Sequence, residues 1–117
     1  MLSHKRQSFP DGVVKIYTVG DVSSPGDMPK DGLILKESLR YKERTVGINR
    51  FYSALQNSVK VAFVLRCPLV RSVSTSDVAV MPDLVQFEIK QVQYPEDQEP
   101  PVMDLTLERI GEPYATS

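Results

Sequence analysis

The chain has 117 residues and a mass of 13.1 kDa, with 41% hydrophobic and 25% charged residues, a composition that fits one globular domain around one core. Fourteen Lys and Arg stand against fifteen Asp and Glu, and the net charge of -1 excludes a histone-like protein bound to nucleic acid by bulk charge. One cysteine, Cys67, and one histidine, His4, exclude an internal disulfide and a Cys/His metal cluster, and no stretch has the apolar length of a bilayer span.

The first segment, 1–12, is polar and basic and ends in Phe9-Pro10-Asp11-Gly12, which predicts a flexible arm closed by a turn. Its opening Met1-Leu2-Ser3-His4-Lys5-Arg6 lacks the apolar run of a signal peptide. Residues 13–19 are short and β-branched, the composition of a strand. Residues 20–32 hold three glycines, two prolines and three aspartates without periodicity, so a long loop is expected there. From 33 to 46 the pattern has period two. Leu35, Glu37, Leu39 and Tyr41 share one face, with Lys36, Ser38, Arg40, Lys42 and Arg44 on the other, as in a half-buried strand with a basic outer face.

Gly47 interrupts that pattern, and Ile48, Phe51, Tyr52 and Leu55 follow at the spacing of an amphipathic helix, giving a loop-helix insertion over 47–57. The rest reads as strand. Val59, Val61, Phe63, Leu65 and Cys67 alternate up to Pro68, residues 78–81 form a short strand, and Pro82-Asp83 marks a hairpin turn into 85–90. Val85, Phe87 and Ile89 are odd while Val92 and Tyr94 are even, so a β-bulge near Gln91 is needed to keep all five facing the core. Residues 95–101 form an acidic loop, Met103, Leu105 and Leu107 alternate in a last strand, and the tail 111–117 is expected to be loose. The sum is an all-β fold, a small antiparallel β-barrel or sandwich of about six strands, with one domain over 13–110.

Charge is unevenly spread. Residues 1–60 carry ten Lys/Arg against six Asp/Glu, and residues 61–117 carry four against nine. Catalytic signatures are missing from the sequence: it has no nucleophile elbow, Walker loop, dinucleotide fingerprint or paired-histidine motif. His4 lies in the arm with no acid fixed beside it, and Cys67 ends an apolar alternation as a buried structural thiol. Glu96, Asp97 and Glu99 lack the ligand spacing and glycine of a calcium loop, which leaves a solvated hairpin tip. No cofactor or metal is expected. Lys36, Arg40, Lys42 and Arg44 project as a row, which can either track a phosphate backbone or protect a strand from unwanted pairing.

The order of features is similar to that of the head-tail joining (head-closure) proteins of long-tailed bacteriophages and prophages. The likeness runs over about residues 33–110. It is carried by Leu39-Arg40-Tyr41-Lys42-Glu43-Arg44-Thr45-Val46-Gly47 leading into Asn49-Arg50-Phe51-Tyr52, then by Leu65-Arg66-Cys67-Pro68 and Thr75-Ser76-Asp77-Val78-Ala79-Val80. Gln86-Phe87-Glu88-Ile89-Lys90-Gln91-Val92-Gln93-Tyr94 and the closing 103–110 complete it. Family members usually start the second hairpin strand with glycine, whereas Asp83-Leu84-Val85-Gln86-Phe87 stands there in this chain.

The resemblance implies a non-catalytic virion protein, made in the bacterial host cytoplasm and assembled as a ring, usually dodecameric, between portal or adaptor and tail proteins. Such a ring retains packaged double-stranded DNA, and the insertion approaches its channel. Arg40, Lys42, Arg44, Arg50, Phe51 and Tyr52 then become candidates for the channel or subunit interface, with Glu96, Asp97 and Glu99 as the acidic partner on a neighbouring subunit. A tail-terminator or tail-completion protein of the same particle, and a small-barrel nucleic-acid-binding protein, are the alternatives.

Overall fold

The computed structural model describes residues 8–44 and 62–116, and shows an all-β fold. Its strands are β1 (Gly12–Asp21), β2 (Asp31–Arg44), β3 (Ala62–Pro68), β4 (Val78–Val80), β5 (Gln86–Gln93), β6 (Val102–Arg109) and the two-residue β7 (Ala115–Thr116). The first six form a closed antiparallel barrel in the order β1-β4-β5-β6-β3-β2, with β2 returning to β1. Every barrel strand therefore has two neighbours, although β1 meets β4 only over Lys15–Tyr17 and β2 meets β3 only over Lys42–Arg44.

Alternation fills the barrel. Val14 and Ile16 from β1, Leu39 and Tyr41 from β2, Leu65 and Cys67 from β3, Phe87 and Ile89 from β5, and Met103, Leu105 and Leu107 from β6 are buried together. Ala79 faces the same core from β4. Pairings such as Leu65 with Leu105 and Ile89 with Leu107 put apolar side chains opposite one another on the inner face. The expected core residues Leu65, Phe87, Ile89, Leu105 and Leu107 lie there, while the side chains of Val61 and Phe63 fall outside the described set. The insertion expected as a helix over 47–57 also lies outside the described residues, and among those described there is no helix.

Two bulges set the registers. In β5 the pairing slips between Ile89 and Gln91, leaving Lys90 as the extra residue and returning Val92 to the core face. That bulge falls where the change of phase predicts it. Tyr94, however, lies beyond β5, is exposed, and has the Arg71 guanidinium 5.1 Å from its ring centroid instead of facing the core. In β2 the pairing steps from Ile16–Glu37 to Tyr17–Leu35, leaving Lys36 as the extra residue. Strict alternation places Leu35 on the face of Leu39 and Tyr41, but the bulge turns it away, and Leu35 is 54% exposed.

The expected loop over 20–32 is shorter than its composition suggests. The β1–β2 ladder continues through Gly20–Gly32 and Asp21–Asp31 pairs, confining the loop to 22–30. Asp21 closes it: one carboxylate oxygen accepts from the Ser23 N–H at 2.9 Å, the Ser23 hydroxyl at 2.7 Å and the Lys30 N–H at 3.1 Å. This short polar side chain stands in for the next ladder pair, an effect that periodicity does not reveal. The end of the N-terminal arm is likewise part of the barrel, because the Asp11 N–H donates to the Tyr41 carbonyl at 3.0 Å and β1 begins at Gly12.

The tail is the largest departure from expectation. Instead of hanging loose, it packs on the outside of the barrel, where β7 pairs in parallel with Gly32 and Leu33 of β2. Leu33, Val78 and Val80 form a second apolar cluster, with Tyr17, Val19, Ile110 and Tyr114 packed against it. The Gln86 side chain clamps the tail in place, its amide donating to the Tyr114 carbonyl at 2.9 Å and its carbonyl accepting from the Tyr114 N–H at 2.8 Å. A single Tyr and Ile in a polar segment give no periodic signal, so the cover is legible only in three dimensions.

Replacing Gln86 by Ala removes both bonds to Tyr114 and should cost about 1–3 kcal/mol in chemical denaturation. Faster hydrogen exchange of the Tyr114 amide should accompany it. An unchanged midpoint and unchanged exchange would show that the tail is held by β7 pairing alone.

Candidate functional site

The outer face of β2 and β3 concentrates the cations that the sequence singles out. Val13 pairs with Arg40 and Lys15 with Ser38, and because Val14 and Ile16 point inward, Arg40 and Lys42 point outward. Both are exposed, and neither has an ion pair among the described residues. The other two members of the expected row are occupied. Lys36 donates to the Asp77 carboxylate at 2.8 Å and to the Ser72 carbonyl at 2.6 Å, so the bulge residue ties β2 to the segment before β4.

Arg44 is half-buried and lies 2.8 Å from Asp104 on β6. Arg66 on β3, opposite Asp104 in the ladder, meets the same carboxylate through Nε at 2.8 Å and an Nη at 3.0 Å. One carboxylate, 7% exposed, thus accepts from two guanidiniums and joins three strands. Hydrogen bonding to Asp104 raises the Arg66 pKa and outweighs the opposing effect of burial. Arg44, a candidate for the channel or subunit interface, has an ion-pair partner within its own chain. Its charge is compensated inside the barrel wall, because a partly buried guanidinium left unpaired is costly.

Lys42 pairs with Arg66 across the β2–β3 ladder, and Asp104 meets two of the four cations Arg40, Lys42, Arg44 and Arg66. Placing like charges opposite each other is unfavourable in itself, and Asp104 makes it tolerable by drawing the Arg66 fork toward β6. Arg66 and Asp104 were missed as site residues. Their signal was present, since each interrupts an apolar strand at an outward position, but only the strand order makes them neighbours.

Arg50, Phe51 and Tyr52 lie outside the described residues. Glu96, Asp97 and Glu99 are exposed in the connection between β5 and β6, with no ion pair among the described residues. No group of acidic, Cys or His side chains among the described residues is arranged to hold a metal ion. Cys67 is fully buried, and desolvation pushes its thiol up to about 12, which leaves it protonated and inert at neutral pH, as a structural thiol should be. No helix of the described residues is long and apolar enough to cross a membrane.

The chain was compared with protein-family models and with curated proteins, and it matches none of them.

Replacing Asp104 by Asn should cost about 2–4 kcal/mol in denaturant unfolding, less than for a wholly buried pair because the Arg44 side chain is 32% exposed. A loss below about 0.5 kcal/mol, the range of an ordinary surface change, would show that Asp104 is not the junction of these strands.

The Asp21 carboxyl is held below its usual 3.8, first by the Ser23 hydroxyl and then by the Ser23 and Lys30 amides. A lowered native pKa means that its contribution is complete above the unfolded value and is lost as pH falls through the native one. The amide resonances of Ser23 and Lys30 should therefore titrate together, with a midpoint below 3.8. A midpoint at or above that value would contradict the closure of the hairpin tip by Asp21.

Proposed function

We propose that the chain is a structural virion component that joins a phage head to its tail: a ring-forming head-closure, or stopper, protein that retains packaged DNA and offers the tail a docking surface. The observation that carries this reading is the cationic pair Arg40 and Lys42, exposed on the outer wall of β2 and without an ion pair among the described residues. The barrel strands close on one another, but among the described residues β2 is paired over 34–41 with β1 alone, so subunits can associate through that edge as well as through side chains. The long β1–β2 hairpin carries that edge.

In this role the subunits form a homo-oligomeric ring, a dodecamer in the virion, with portal or adaptor protein on one side and tail proteins on the other. Arg40 and Lys42 meet either DNA phosphates in the channel or Glu96, Asp97 and Glu99 of the next subunit. The role is non-catalytic. A tail-terminator or tail-completion protein would use the same surfaces in a different ring. A single-strand nucleic-acid-binding barrel is less well supported. Tyr41, the aromatic residue beside the cations in sequence, faces the core, and Tyr17 packs against the cluster under the tail, so neither offers a stacking platform.

The test is the double variant Arg40→Ser, Lys42→Ser, which removes exposed charges without touching Asp104. The folded subunit should keep its stability within about 0.5 kcal/mol, as expected for surface changes, while the yield of filled, tailed particles falls sharply. Normal retention of DNA and normal tail joining by the double variant would overturn the proposal that this face functions in the connector.

A further inference from the structure

The turn between β4 and β5 holds an apolar side chain that the barrel does not use. It is closed by the Leu84 N–H, which donates to the Met81 carbonyl at 2.8 Å, and by the Met81 N–H, which donates to the Val85 carbonyl at 3.1 Å. Asp83 braces it, one carboxylate oxygen accepting from the Val85 N–H at 3.1 Å. Leu84 has a φ of 70°, the left-handed region that ends many hairpin loops and where glycine or asparagine is the unstrained choice. Its side chain is also 79% exposed, so no burial within the chain offsets that strain. A fixed turn thus holds leucine out in water beside the exposed Asp83, which has no ion pair among the described residues.

A matching surface lies on the outside of β1 and β2. Val14 and Ile16 point into the barrel, so Val13, Lys15 and Tyr17 point out of it, and Leu35, paired with Tyr17, points the same way. Lys15 therefore lies between Val13 and Leu35, one side-chain repeat of about 7 Å along the strand from each level. All three are exposed, and Lys15 has no ion pair among the described residues.

The two surfaces complement each other, and neither complements itself. Turn against turn sets Asp83 against Asp83, and wall against wall sets Lys15 against Lys15, which like-charge repulsion disfavours. Turn against wall brings the Asp83 carboxylate to the Lys15 ammonium and seats Leu84 between Val13 and Leu35, taking three exposed apolar side chains out of water together.

We propose that the β4–β5 turn of one copy of the chain docks on the β1–β2 wall of a second copy, with Leu84 as the apolar anchor and Asp83 paired to Lys15. Because the two surfaces differ, the contact is heterologous, and each copy engages two others, as a ring requires. The inference deepens the ring reading and rests on it for the assembly the contact builds, but the contact itself is measured on the purified chain.

Two variants each remove one half of the contact. Leu84→Gly deletes the anchor and should leave the thermal midpoint unchanged or raise it, since glycine relieves the left-handed strain. Lys15→Glu with Leu35→Ser alters the wall at exposed positions. In sedimentation velocity over a concentration series, the unmodified chain should associate beyond the dimer, and each variant alone should associate at least about tenfold more weakly. An equal mixture of the two should form a one-to-one dimer that grows no further, because the Leu84→Gly copy keeps only a working wall and the other copy only a working turn. An unmodified chain that stays monomeric, variants that associate as it does, or a mixture that stays monomeric would overturn the contact. A lowered midpoint for Leu84→Gly would overturn it too, by showing that the side chain is held within its own barrel. Any of these results leaves the particle assay of Arg40 and Lys42 as it stands, so the contact and the head–tail role fail separately.

Discussion

One extra residue in β2 organises the molecule. Because Lys36 is bulged out of the β1–β2 ladder, Glu37, Leu39 and Tyr41 point into the barrel while Leu33 and Leu35 point out of it. A strand of 14 residues can therefore serve two cores, the barrel interior and the outer cluster under the tail. The bulged side chain is not idle. Its ammonium is bound to Asp77 and to the Ser72 carbonyl, which fixes the approach to β4, and β4 in turn gives Ala79 to one core and Val78 and Val80 to the other.

The same strand separates charges by face. Outward positions carry Arg40, Lys42 and Arg44, and the inward position beyond Tyr41 carries Glu43 at the barrel mouth. A chain of net charge -1 thereby acquires a cationic wall and an anionic opening close to each other. The two differ in how they are held. On the wall, Asp104 offsets part of the charge and fixes Arg44 and Arg66, leaving Arg40 and Lys42 to solvent or a partner. At the mouth no cation among the described residues compensates the three carboxylates Asp11, Glu43 and Asp83. Exposed charge of either sign costs little in water, so neither surface needs compensation for the barrel to fold.

Much of the barrel was legible because its strands obey period two, and Leu65, Cys67, Ile89, Leu105 and Leu107 could be placed from alternation alone. The β5 bulge was legible for the same reason, since a break in phase between Ile89 and Val92 requires one extra residue. The β2 bulge was not, because Leu33, Leu35, Leu39 and Tyr41 keep perfect parity and a leucine turned to solvent leaves no mark in the sequence. Closure of the hairpin by Asp21 and of the tail by Gln86 depends on single polar side chains meeting backbone groups, which pattern cannot show. Of the candidate site, the outward phase of Arg40 and Lys42 was readable, but the pairing of Arg44 required knowing that β3 and β6 are neighbours and that Asp104 lies between the guanidiniums.

We propose that the cationic wall of this barrel works inside a head–tail connector. Electron cryomicroscopy of assembled particles that contain the chain tests it most directly, since a density map shows both symmetry and neighbours. The expected map shows a ring of barrels at the joint between head and tail, with Arg40 and Lys42 facing packaged DNA or the Glu96–Glu99 loop of the adjacent subunit. A chain that is absent from that joint, or a ring in which Arg40 and Lys42 face open solvent, would contradict it.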